Sequence, residues 1–180
     1  MIQALAKFIL KLIGWKVEGD YRNDVKKKLL IGAPHTSNWD FPLGILVRTA
    51  IKAPVKYIGK PSLFKPPLSW IMYPLGGMPV VQKEGQSFVQ NVVDMYNSMD
   101  ELTILIAPEG QRKRIEKFKT GFYHIANGAK VPILPMVLDF EKKEFRFLNL
   151  VHTHGNADKE IPEIEALFRG VKGYRKKDSF

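Results

Sequence analysis

Lys28-Leu29-Leu30-Ile31-Gly32-Ala33-Pro34-His35-Thr36-Ser37-Asn38-Trp39-Asp40 is the stretch on which the fold turns. Its first half, Lys28–Ala33, is a short apolar run ending at a proline, the pattern of a buried strand. Pro34–Asp40 is a turn, with Thr36, Ser37 and Asn38 as residues that bend and cap the backbone. From Asp40 to about Lys52 the pattern predicts a helix, with Ser37 or Asn38 available as its N-cap. A strand that exits through a turn into a helix is the working unit of an α/β sheet. Loops at such exits are where open α/β folds build their sites.

The rest of the chain repeats the alternation. Pro54–Gly59 reads as a second strand, Met78–Val81 as a short one and Leu102–Ala107 as the clearest. Gln86–Ser98 carries Phe88, Val89, Val92, Val93 and Tyr96 at helical spacing, a core-facing stripe. Thr120–Gly128 reads as a helix with Gly128 near its end. Val131–Leu138 is a strand whose Pro132 and Pro135 argue for an irregular or edge position. Phe145–Leu150 alternates and is expected to pair antiparallel with it. Glu160–Arg169 is the last helix, and the basic tail Lys172–Lys177 is expected to be mobile. Residues 61–77 are rich in Pro, Gly and aromatics and have no clear period. Core packing is the default reading of that segment; an acyl-chain groove or a membrane-dipping loop is the functional one. The β–α alternation as a whole argues for an α/β sandwich.

Residues 2–13 read as an amphipathic helix. Leu5, Phe8, Ile9 and Leu12 share one face, Lys7 and Lys11 the opposite one, and Gly14 is the stop. Residues 1–16 are thus an N-terminal amphipathic segment and 17–180 the main domain. The helix either packs on that domain or lies in a membrane interface with Trp15 and Lys16 at the boundary; both readings stay open here. No stretch qualifies as a transmembrane helix, and Lys7 and Lys11 interrupt what would be a signal-peptide core.

At 180 residues the chain is most simply one domain. It has no cysteine, which excludes a thiolate nucleophile, disulfides and the common cysteine-based zinc sites, and fits a reducing compartment. Lys plus Arg number 28 against 18 acidic residues, giving +10. Such a balance implies polyanionic partners: an anionic lipid surface, nucleic acid or an acidic carrier protein. No RNA-binding or helix-turn-helix signature is present, and the aromatics lie inside apolar runs rather than between Lys and Arg. Nucleic acid is therefore the poorer match.

Two segments carry chemistry. His35 and Asp40 can meet only if the backbone turns between them, as at a strand-to-helix junction. Asp40 would then sit in the first helical turn and accept from one imidazole nitrogen, leaving the other free as a base. This is the base-plus-orienter half of a catalytic triad, without a serine placed as nucleophile and with no G-x-S-x-G elbow in the chain. Taken alone, the same spacing also suits a structural histidine. The second segment, Ala107-Pro108-Glu109-Gly110-Gln111-Arg112, is a turn at another strand exit, followed by Lys113, Arg114, Lys117 and Lys119. It reads either as a solvated basic loop or as an anion site, since Arg matches phosphate bidentately. His152 and His154 flank Thr153 and are expected on a surface loop; His124 is expected to pack inside a helix. Neither context supports a metal site.

Together these segments resemble the motifs of the glycerolipid acyltransferase family typified by lysophosphatidate acyltransferases. His35-Thr36-Ser37-Asn38-Trp39-Asp40 is similar to that family's His-x4-Asp motif, and Pro108-Glu109-Gly110-Gln111-Arg112 to its Pro-Glu-Gly-Thr-Arg motif. Gly76–Gln82 resembles the glycine-led block between them, and Val131-Pro132-Ile133-Leu134-Pro135 the fourth, Pro-containing block. Four blocks in the right order make a specific signal. The resemblance implies a single-domain α/β sandwich with a mixed, mostly parallel sheet flanked by helices. It implies His35 as general base, Asp40 as its orienter, and Glu109, Gly110 and Arg112 as acceptor-binding residues. The sequence departs from the pattern at Gln82, where an acceptor-binding arginine is usual, and at Gln111, which replaces threonine. Lys83 follows Gln82. With Gln82, Lys83, Glu109, Gly110, Gln111 and Arg112 as the substrate-binding set, the departures put the acceptor rather than the catalysis in question.

The activity implied is O-acyl transfer from an acyl thioester, on coenzyme A or acyl carrier protein, to the hydroxyl of a lysophospholipid or related lipid. No cofactor or metal is required. The expected setting is the cytoplasmic face of a membrane with anionic lipids, without nucleic acid. A non-catalytic anionic-lipid-binding module and an acyl-thioester hydrolase are the alternatives.

Overall fold

Each apolar run predicted as a strand enters one sheet in the computed structural model, which describes residues 1–59, 61–80 and 84–179. The chain runs α1 (Ile2–Leu12), β1 (Lys16–Glu18), β2 (Lys27–Ala33), α2 (Asp40–Ala50), β3 (Val55–Gly59) and a 3-10 turn (Pro61–Phe64). It continues through α3 (Ser69–Met72), β4 (Gly77–Pro79), α4 (Phe88–Ser98), β5 (Leu102–Ile106), α5 (Gly121–Ala129), β6 (Ile133–Asp139), β7 (Glu144–Phe147), α6 (Ala157–Ala166) and a last 3-10 turn (Lys176–Asp178). The strand order is β1-β7-β6-β2-β5-β3-β4. β6, β2, β5, β3 and β4 are mutually parallel, and β7 and β1 run against them.

β2 is the central strand because both its faces are apolar. Leu29, Ile31 and Ala33 face one core with Val92, Tyr96, Phe122, Ile125 and Phe168. Leu30 faces the other, with Ala6, Leu10, Val47, Ala50 and Phe145. Such a strand reads as a near-continuous hydrophobic run and needs helices on both faces. β5 lies directly beside it, with Ile31 opposite Ile106. Hence the turn after β2 and the loop after β5 emerge side by side at the same edge of the sheet, although two strands separate them in sequence.

Several expectations are corrected. β6 is interior and buried at every position, between β2 and β7, rather than irregular or at an edge. Its prolines are tolerated because they fall where only a carbonyl is used: Pro132 O accepts from Leu29 N–H, and Pro135 O accepts from Leu148 N–H where the β7 pairing ends. Phe88 of the α4 stripe is exposed, and Asn91 takes a buried position beside Val92, Val93 and Tyr96. α5, by contrast, has Gly128 near its end as expected, and closes at Lys130 in the left-handed conformation. His124 is on the outside of α5. Of residues 61–77, Phe64 is buried, but Leu63, Leu68, Trp70, Ile71 and Tyr73 are exposed, Trp70 at 75%. Val81, the predicted end of β4, lies outside the described residues.

α1 meets the packing reading offered for it. Ala6 and Leu10 are buried, and Gln3 Nε2 donates to Ala50 O of α2 at 3.1 Å, so the helix packs on the domain along one narrow edge. Leu5, Phe8 and Leu12 remain open to solvent. Trp15 is not a boundary residue; it is buried against Phe140 and Phe145. Among the described residues no helix is long and apolar enough to cross a membrane.

Candidate active site

The turn after β2 folds around one carboxylate. Asp40 Oδ2 accepts from the backbone N–H groups of Thr36 and Ser37, both at 2.9 Å, and lies 2.9 Å from His35 Nδ1. Asp40 opens α2 and is buried, so its charge meets the positive end of the helix and three donors rather than water. Neither Ser37 nor Asn38 caps α2 through its side chain: the N-cap residue is Trp39, and Ser37 Oγ accepts from Trp39 N–H at 3.2 Å. The expected capping is thus inverted. The carboxylate inside the helix reaches back to the turn, which is what lets it also reach His35.

With Nδ1–H held by Asp40, the imidazole presents the lone pair of Nε2 outward. Arg112 Nε donates to Nε2 at 3.4 Å. Among the described residues, this partner is a guanidinium and not a serine or threonine hydroxyl. The N–H groups of Thr36, Ser37, Trp39 and Phe41 are all engaged within the turn, so these amides are not free to hold an oxyanion.

Glu109, expected among the acceptor-binding residues, is instead turned into the protein. It is 2% exposed, and its Oε2 accepts from the His35 backbone N–H at 2.6 Å. Burial pushes its carboxyl up to about 7, although the His35 contacts oppose the shift. The carboxylate therefore points into the protein, beneath the histidine. Gly110 follows at φ +66°, in the left-handed region that glycine favours, with the Lys119 side chain 2.7 Å from where a β-carbon would lie. Gln111, Arg112, Lys113, Arg114 and Lys117 are exposed. Gln82 and Lys83 lie outside the described residues. His152 and His154 are exposed on the loop before α6, and among the described residues no three His, Asp or Glu side chains converge on a common point. A groove of ≈ 630 Å³ opens beside Gly110, lined mainly by Ile58, Gly59, Val80, Phe88 and Ile106.

Comparison with known proteins shows the family and the fold. The Acyltransferase family model matches residues 14–139, from before β2 through β6. The chain belongs to the acyltransferase family. It is 31% identical over 135 residues to the 1-acyl-sn-glycerol-3-phosphate acyltransferase of Haemophilus influenzae, covering 70% of this chain and 55% of that one. It is 27% identical over 162 residues to the enzyme of the same name from Escherichia coli, covering 86% and 64%. It therefore spans little more than half to two thirds of the length of these curated relatives. The crystal structure of the 1-acyl-sn-glycerophosphate (LPA) acyltransferase of Thermotoga maritima superposes with a TM-score of 0.62 at 17% identity, covering 92% of this chain and 74% of that one, a likeness of fold. His35, Asp40, Glu109 and Arg112 all lie inside the span matched by the family model.

Proposed function

We propose that this chain moves a fatty acyl group from a thioester, on coenzyme A or acyl carrier protein, to the hydroxyl of a lysophospholipid or related lipid at a membrane surface. The observation that carries the reading is the geometry of His35: Nδ1 is fixed on a buried carboxylate 2.9 Å away, and Nε2 faces an exposed guanidinium rather than a protein nucleophile. A base so placed acts on the substrate's own hydroxyl. Nε2 takes the hydroxyl proton as the oxygen attacks the thioester carbonyl. The C–O bond forms, the tetrahedral intermediate collapses and the C–S bond breaks, releasing thiolate. Asp40 stabilises the imidazolium that forms.

Arg112 places positive charge beside the base, where an anionic group of the acceptor would sit; Gly110 and Gln111 shape that loop. Gln82 and Lys83 complete the proposed acceptor set. With an uncharged Gln82, the preferred acceptor either binds its phosphate weakly or carries its anionic group elsewhere. Glu109 supports His35 from below. The apolar groove beside Gly110 suits an acyl chain. The exposed Leu5, Phe8 and Leu12 of α1, with Leu68, Trp70 and Ile71 around α3, suit peripheral attachment to the inner face of a membrane.

The test is incubation with labelled acyl-coenzyme A or acyl carrier protein, with lysophosphatidate and with a total lipid extract. A labelled ester lipid supports the proposal. Release of free fatty acid regardless of acceptor would make the protein a hydrolase, and lipid binding without turnover would make it a binding module.

A further inference from the structure

The chain beyond β6 returns to the His35 turn. Phe140 N–H, just past β6, donates to Lys172 O at 2.8 Å, and the Phe140 and Tyr174 rings meet edge to face at 5.4 Å. Gly173 N–H donates to Ser179 Oγ at 2.9 Å, and Ser179 is buried. The tail expected to be mobile is thus a closed strap hung from the exit of β6. It presses on the exit of β2: Arg175 N–H donates to Thr36 Oγ1 at 3.1 Å. A β-carbon at position 173 would lie 2.6 Å from Thr36 Oγ1, 2.8 Å from Thr36 Cγ2 and 3.2 Å from Pro34 Cγ. Thr36 is 1% exposed and β-branched, and moving its hydroxyl would forfeit the bond from Arg175, so it has little room to give.

Thr36 is also the residue whose backbone N–H holds Asp40 Oδ2. We propose that residues 171–179 are a positioning strap for the catalytic turn: Gly173 and Arg175 fix Thr36, and through Thr36 the carboxylate that orients His35. This rests on the reading of His35 as the base. The strap lies outside residues 14–139, the span matched by the family model.

The test uses full-length variants. Gly173→Ala pushes Thr36 away, and Ser179→Ala opens the strap. Glu141→Ala is the control, since it breaks only the exposed Lys176–Glu141 ion pair (2.8 Å). Three quantities are read: kcat and KM for transfer, the low-field NMR resonance of the His35 Nδ1 proton (assigned by its loss in His35→Gln) and the melting temperature. Because a displacement of about 1 Å can cost about 10²-fold, Gly173→Ala is expected to lower kcat roughly 10–100-fold with KM changed less than about twofold. The resonance should weaken or shift. Ser179→Ala should move both in the same direction by less, and Glu141→Ala should move neither. If both strap variants melt earlier yet keep wild-type kcat and resonance, the strap is merely structural and the proposal falls. Should Gly173→Ala not fold, Ser179→Ala decides by the same readings. Should wild type show no transfer, the proposed function fails while the resonance still decides the strap.

Discussion

The turn after β2 and the loop after β5 leave adjacent strands at one sheet edge, yet they are built in opposite ways. In the first, Pro34, Thr36, Ser37 and Asp40 are buried, and a single carboxylate gathers two amides and an imidazole. In the second, the ends are pinned, with Lys119 N–H donating to Pro108 O at 2.9 Å and Phe118 N–H to Glu165 Oε1 at 2.6 Å, and Ile115 packs on the core. Between them Gly110–Arg114 and Lys117 face solvent. The contrast points to a division of labour. The buried turn is pre-organised and should govern kcat, whereas the charged loop, under the proposed function, is the part that would meet the substrate and should govern KM. Glu109 belongs by sequence to the second loop and by contact to the first.

The largest effect tests the turn itself. His35→Ala should lower kcat by roughly 10²–10⁴-fold, the usual contribution of a general base, with melting temperature and vesicle binding retained. Near-wild-type turnover by the folded variant would remove the turn from the chemistry.

Glu109 sharpens the boundary between the two regions. Glu109→Ala leaves the His35 N–H without its partner, which should lower stability by roughly 1–3 kcal/mol, and by loosening the backbone that carries the imidazole should reduce kcat about 10-fold. Glu109→Gln keeps an acceptor and should lose less, and in both variants the acceptor KM should hold. A change in KM alone would place Glu109 with the loop. The carboxyl's raised pKa adds a stability reading. The native state holds its proton between the ordinary value near 4.5 and about 7, while the unfolded chain releases it. This group's contribution is therefore present below about 4.5 and is lost as pH rises through about 7. Melting temperatures followed across that window should show a downward slope with pH that is smaller in Glu109→Gln.

Arg112→Ala should raise the acceptor KM about 10-fold, the size of one charge-assisted hydrogen bond, with a much smaller change in kcat. A pure kcat defect would mean that Arg112 serves the base and not the acceptor. The smallest effect lies farthest from the chemistry. Replacing Leu5 and Phe8 together by serine should weaken sedimentation with anionic vesicles while leaving kcat on soluble acceptors unchanged. Unaltered vesicle binding would confine α1 to its packing role against α2.

Much of this was legible in the chain. The β2 run, its proline exit and the helix from Asp40 follow from apolar patterning and turn chemistry that act locally. The pairing of His35 with Asp40 follows from the same turn. What the chain concealed depends on strand neighbours. Nothing local says that β5 inserts between β2 and β3, and without that adjacency the Glu109 carboxylate cannot be placed under His35. Pro135 argued for an edge because its missing N–H is a local fact, whereas the end of the β7 ladder, where none is needed, is a tertiary one. The tail misled for the same reason: Lys172–Lys177 is basic and polar, but Gly173 within it is fitted to Thr36. Trp15 and Phe88 exchanged their expected roles because helical and interfacial patterns fix a face without fixing which side another element covers.

The central claim is that Asp40 acts through His35, so that the buried turn works as one unit. It is tested most directly by a double-mutant cycle on kcat with His35→Ala, Asp40→Asn and the pair, since residues acting as a unit are strongly non-additive. The account predicts that Asp40→Asn is severe alone and adds almost nothing once His35 is gone. Losses that multiply in the double variant would contradict it, and would show Asp40 contributing by a route that does not pass through the imidazole.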